Sequence, residues 1–163
     1  VKRAVLGLLG WGALVFAAAG VGAVASARAA DFYLGLVRPV WAPPAEWFGP
    51  VWTTLFVLMA LAAWMVWRPK GFRGAAVALS LFVLQLFFNA AWSWLFFVKK
   101  WGALAFLDIL VLWVLIAATA ILFWRRRPLA GFFLLPYLGW VSFAVFLSRA
   151  VWRLNPAVLG GGV

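Results

Sequence analysis

The sequence predicts an all-α polytopic membrane protein, a single domain built as a bundle of five transmembrane helices. Three observations carry this. Hydrophobic residues make up 69% of the 163 positions, with a mean hydropathy of +1.10, whereas soluble domains are roughly half apolar. The apolar residues collect in five runs, each near the ~20 residues that a membrane-crossing helix needs. Between the runs lie the basic clusters: Arg68, Lys70 and Arg73; Lys99 and Lys100; Arg125, Arg126 and Arg127. The net charge of +11 therefore reads as membrane-flanking charge that seats helix ends in headgroups. No nucleic-acid partner is expected.

The spans fall at about 4–26, 46–67, 74–98, 103–124 and 128–152. The first follows a basic start and ends in "ASARAA", so it has the outline of a secretory signal peptide. Its apolar core is longer than the ~7–15 residues of such signals and contains Trp11, so we expect it to stay as the first helix. The second begins within "AEWFGP". Pro50 is tolerated in a first turn, whose amides lack partners, and Glu46 suits the positive end of the helix dipole. Short connections make spans two to five antiparallel neighbours. Eight basic residues fall on the side of the N-terminus and six on the other, which favours a cytoplasmic N-terminus. The closing "LNPAVLGGGV" reads as a short flexible tail.

Absent residue types exclude chemistry. The chain has no cysteine and no histidine, and its only carboxylates are Asp31, Glu46 and Asp108. Disulfides, thiolate nucleophiles, imidazole acid–base work and His- or Cys-ligated metals are ruled out, as is a carboxylate-rich metal cage. No metal site and no required cofactor are expected.

Polar and aromatic residues inside spans mark the candidate site. In the third span Gln85, Asn89 and Trp92 fall at i, i+4 and i+7, one helix face that continues to Phe96. Amides facing lipid are costly, so this face should look inward. It serves either interhelical hydrogen bonds, worth about 0.6–2 kcal/mol each, or a cavity. In the fifth span Tyr137, Trp140 and Ala144 share a face behind Pro136. Asp108, the only acid within an apolar run, is expected near the headgroups, paired with Lys99 or Lys100. Gly74 and Ala78 have the small-xxx-small spacing that permits close helix approach, a hint of a homodimer.

The stretch 27–45 joins the first two spans and is expected to act as a lid. "RPVWAPPAEWFGPVW" stiffens its end with prolines. Pro43, Pro44, Trp41 and Trp47 are assigned to the lid, with the two tryptophans at the membrane interface. Trp52, inside the helix, is assigned to a ligand.

Four blocks in order carry a family resemblance: "RPVWAPPAEWFGPVWTTLF", "QLFFNAAWSWLFF", "ALAFLDILVL" and "PYLGWVSFAVFLSRAVWRLN". Together they resemble the TspO family, the tryptophan-rich sensory or translocator proteins, also called peripheral-type benzodiazepine receptors. The resemblance, closest to bacterial members, implies a five-helix bundle whose pocket opens toward the first loop. It implies porphyrin binding and, in many members, binding of benzodiazepine-type drugs or sterols. By motif, Tyr33 matches a pocket tyrosine, and Trp52 and Trp140 match two pocket tryptophans. Asn89 and Trp92 match further pocket positions, and Ala144 a small residue of the ligand wall. Light-dependent porphyrin breakdown in some bacterial members would make Trp52 and Trp140 the reactive residues. The sterol pattern of the animal proteins is missing, because Arg149 stands where its tyrosine would be.

The leading expectation is thus a multi-pass protein of a bacterial cell membrane, surrounded by lipid. It would bind protoporphyrin IX, a related tetrapyrrole or a drug-like small molecule for sensing, scavenging or transport. Tyr33, Trp52, Gln85, Asn89, Trp92, Phe96, Tyr137, Trp140 and Ala144 would line the site, and Arg28 or Arg38 would meet carboxylates. A photochemical enzyme is the first alternative. A small-molecule transporter is the second, disfavoured by the lack of inverted repeats.

Overall fold

The computed structural model describes residues 2–161, and within them five helices are long and apolar enough to cross a membrane. They are α1 (Lys2–Ala25), α3 (Phe48–Trp67), α4 (Ala76–Ser93), α5 (Gly102–Arg126) and α6 (Pro128–Leu154). Two short helices join them: α2 (Ala29–Leu34) in the first loop and α7 (Pro156–Leu159) after α6. Local chemistry sets the ends. A 3₁₀ turn over Ala45–Trp47 leads into α3, Pro50 stands in its first turn, and Pro128 opens α6. Arg125 and Arg126 occupy the last turn of α5, where cations complement the helix dipole. Gly71 turns the chain between α3 and α4 at φ +67°, a left-handed conformation that glycine adopts without penalty.

The bundle has two ends of different character. At the end holding the start of α1, rings and small residues interlock. Trp11 meets Phe82 edge-on at 5.8 Å, and Phe82 stacks on Phe123 at 5.7 Å. Ala62, Ala63, Ala78 and Ala130 are fully buried beside them. Trp67 lies across Gly7, where any Cβ would strike its ring. Helix α1 is fastened along its length: Trp64 Nε1 donates to the Ala4 carbonyl at 2.8 Å, and Trp94 Nε1 to the Val21 carbonyl at 3.2 Å. The outer surface stays apolar, with Leu6, Val24, Phe87 and Phe146 each more than 60% exposed, as a lipid-facing surface requires.

Two expectations are corrected. Ala78 is buried inside the bundle, so Gly74 and Ala78 do not present a paired outer face to a second copy. The end of the chain is docked rather than free over its described part. Leu159 is fully buried, and Gly160 forms an isolated antiparallel bridge with Trp101. Gly162 and Val163 lie outside the described residues.

Candidate functional site

At the other end, the helices part around a cavity of about 580 Å³. Its walls follow from helix periodicity. Trp52 and Phe56, one turn apart on α3, stack at 5.5 Å. Helix α4 supplies Asn89, Trp92 and Phe96, and Trp92 stacks on Phe96 at 5.0 Å. Helix α6 supplies Trp140, Val141, Ala144, Leu147, Ser148 and Val151, a stripe about three turns long. Helix α1 gives small residues, Ala19, Gly22 and Ala23, with Ser26 just beyond its end; the lid gives Tyr33, and Phe48 opens α3. Gly22 faces Ala90 and Ser93 on α4.

A distorted turn follows α4 and contributes to the aromatic wall. Trp94–Val98 forms a π-helical turn closed by Lys99 N donating to the Trp94 carbonyl at 2.9 Å. A π turn inserts an extra residue per turn, and such turns occur often at functional sites. Here Phe96 and Phe97, both within the turn, line the cavity. Lys99 caps the turn, and Lys100 follows it at φ +58°.

Seven sequence-assigned residues meet on this wall: Tyr33, Trp52, Asn89, Trp92, Phe96, Trp140 and Ala144. Gln85 and Tyr137 do not. Each is 1% exposed and lies behind the wall. They form a hydrogen-bonded chain: Asn89 Nδ2 donates to Tyr137 Oη at 2.9 Å, and Tyr137 Oη donates to Gln85 Oε1 at 2.8 Å. The chain ends on a weak contact from Gln85 Nε2 to Met59 Sδ at 3.8 Å. The amide face of α4 therefore serves both uses open to it, with Gln85 in interhelical bonding and Asn89 at the cavity. The lid residues Trp41, Pro43, Pro44 and Trp47 also lie outside the lining, which is supplied by their neighbours Ala45 and Phe48.

The lid is held at several points. Tyr33 Oη donates to the Pro43 carbonyl at 3.1 Å, and Trp41 meets Phe143 of α6 edge-on at 5.8 Å. Leu36 is buried in a cluster with Phe96, Leu147 and Val151. Asn155, at the end of α6, bonds both backbone groups of Val37. It accepts from Val37 N and donates to the Val37 carbonyl, each at 2.8 Å. Sequence reading passed over Asn155 because nothing local distinguishes it; its partner lies 118 positions away. Phe56 was legible in principle, since it follows Trp52 by one turn.

No Lys, Arg, Asp or Glu is among the lining residues. Outside the lining, the Arg38 guanidinium lies 4.9 Å from the centre of the Tyr33 ring. Burial pushes the Tyr33 phenol above its ordinary value, partly opposed by Arg38. Asp108 departs from expectation. It is buried on α5, with one carboxylate oxygen unpartnered. Lys99 and Lys100 lie instead over the Trp101 and Phe32 rings at 5.6 and 5.4 Å.

Comparison with known proteins matches this arrangement to one family. The TspO/MBR family profile matches residues 11–153. The translocator protein of Sus scrofa is 38% identical over 132 residues, covering 80% of this chain and 78% of the relative. The tryptophan-rich protein TspO of Chlorobaculum tepidum is 39% identical over 129 residues, covering 77% and 80%. The tryptophan-rich sensory protein of Cereibacter sphaeroides is 37% identical over 125 residues, covering 77% of each.

Proposed function

Because the chain belongs to the TspO/MBR family, we propose that its cavity binds a porphyrin, or a drug-like molecule of similar shape, for tetrapyrrole sensing, scavenging or transport. One observation supports this above the others: a cavity of about 580 Å³ walled by Trp52, Trp92 and Trp140 and lined by no charged side chain. A tetrapyrrole is flat and apolar over most of its area, with carboxylates on one edge. Its faces suit indole rings, where each well-placed aromatic pair adds about 0.5–1.5 kcal/mol beyond burial. Its carboxylates cannot be buried unpaired without a large penalty, so they point to the lid, where Arg38 stands beside Tyr33.

The lining favours metal-free protoporphyrin over haem. Tyr33 is its only side chain of a type known as an axial haem ligand. Its hydroxyl donates to Pro43, and burial holds it in the neutral form. Titrating protoporphyrin IX against intrinsic tryptophan fluorescence tests the reading. Saturable quenching, weakened at least tenfold in the Trp52→Ala, Trp140→Ala double variant, is expected. Equal affinity in that variant would remove the site.

The same wall supports a second reading, light-dependent porphyrin breakdown. Trp52 and Trp140 place two oxidisable indoles on the cavity face, where dioxygen would be the oxidant. Porphyrin loss in light but not in darkness, abolished by Trp140→Phe, is the result this reading needs.

A further inference from the structure

The cavity has two boundaries toward its surroundings, and they are built differently. Toward water stands the lid. Its central residue Val37 is clamped through both backbone groups to Asn155, itself 7% exposed, and Asn155 Nδ2 also donates to the Val151 carbonyl at 2.8 Å. Leu36 is buried beside this clamp, and Tyr33 holds Pro43 from within. Opening the lid breaks the clamp, the Tyr33 bond and the Leu36 packing together.

Toward the bilayer stands the seam between α1 and α3. Gly20 and Ala23 on α1, and Gly49 and Thr53 on α3, line the cavity and are also exposed on the outer surface. A Cβ placed at Gly20 or Gly49 would meet nothing within 4 Å. Phe16 and Phe56, with ring centres 6.4 Å apart, border the inner end of this gap. Its rim offers little to water. Thr53 turns its hydroxyl back onto the Gly49 carbonyl at 2.9 Å, and Thr54 onto the Pro50 carbonyl at 3.0 Å. A side opening in a membrane bundle faces acyl chains, and small residues with internally bonded hydroxyls suit that contact.

We propose that the gap between α1 and α3 is the portal of the cavity, admitting apolar ligands already dissolved in the bilayer, while the Asn155 clamp keeps the water-facing lid closed. The proposal rests on the reading of the cavity as a ligand site. It adds the phase from which the ligand comes and makes Asn155 a positioning residue. A portal sets rates and not equilibria. Narrowing it slows uptake and release together and leaves Kd near its starting value.

The absence of native cysteine permits a test that needs no porphyrin. An Ala144→Cys reporter on the cavity wall, in protein reconstituted into vesicles, is labelled with membrane-soluble N-ethylmaleimide or with a sulfonated maleimide confined to water. The membrane-soluble N-ethylmaleimide should label at least tenfold faster, after correction for intrinsic thiol reactivity. Gly20→Leu and Gly49→Leu, introduced separately where there is open space, should each slow it about tenfold or more. Asn155→Leu, or Val37→Pro from the loop side, should admit the sulfonated reagent in protein that still melts cooperatively.

Equal labelling by both reagents in the starting protein would overturn the proposal. So would N-ethylmaleimide labelling that neither leucine slows, or exclusion of the sulfonated reagent from both clamp variants. Stopped-flow binding of protoporphyrin IX then addresses the ligand separately. If the labelling pattern holds but protoporphyrin does not quench, the porphyrin reading fails and the portal stands.

Discussion

The two ends of the bundle use the same residue types to opposite effect. Near the start of α1, Trp11, Phe82 and Phe123 interlock with alanines, and Phe82, Phe123 and Met59 are fully buried. Near the lid, Trp52, Trp92 and Trp140 are only partly buried and surround a space. Aromatic content therefore does not separate core from site. What separates them is what stands opposite each ring: an alanine that lets the next helix close in, or another large ring and a braced loop that hold the helices apart. Lipid tails are as apolar as the side chains, so helix association rests on packing and hydrogen bonds. An unfilled end must therefore be held open by other means. The Gln85–Tyr137–Asn89 chain lies at the junction and fixes α4 against α6.

Equivalent truncations should separate the ends most strongly. Phe82→Ala is expected to cost about 3–5 kcal/mol, read as a lowered melting temperature in detergent. Trp52→Ala should cost less than half as much while weakening ligand binding at least tenfold. Equal stability losses would break the comparison. Enlargements should do the converse at a smaller scale. Ala78→Leu, at a fully buried position, should destabilise by about 1–3 kcal/mol through overpacking. Ala144→Leu should leave the melting temperature unchanged and exclude protoporphyrin by filling its space.

Smaller effects sharpen the boundary. Tyr137→Phe removes the donor to Gln85 and the acceptor for Asn89, for an expected loss of about 1–2 kcal/mol, together with altered affinity because Asn89 is no longer held. Tyr33 should give the smallest change, and only in alkali. Its folded pKa is raised above 10.0 by burial. Its contribution is therefore fully present below the ordinary phenol value and is lost as the pH rises through the raised one. Tyrosinate absorbance in a Tyr137→Phe background, which leaves Tyr33 as the sole tyrosine, should rise above the pH at which a free phenol ionises. A midpoint at or below the ordinary value would show that the lid does not bury it.

Much of the site was legible because helix periodicity is strong in apolar spans. Asn89, Trp92 and Phe96 share a face whatever their surroundings, and so do Trp140 and Ala144. Gln85 and Tyr137 fell on those same faces, but spacing reports direction around a helix and not distance from a cavity. The two face each other across α4 and α6 and satisfy one another. Asp108 was misplaced because a position near a span end suggested headgroup exposure, while its lysines found aromatic rings instead. The π turn and the small α2 helix had no distinguishable signal in "WLFFV" or "AADFYL".

Sequence alone determined the number of spans, their approximate limits, the exclusion of thiol and imidazole chemistry, and the aromatic candidates. These follow from local quantities: run length, charge placement and residue chemistry. Tertiary structure alone decided which rings fill and which enclose, that Asn155 holds Val37, and that the α1–α3 seam is thin beside the cavity. Each depends on partners far apart in the chain, whose meeting is set by how five helices pack together and not by the composition of any one of them.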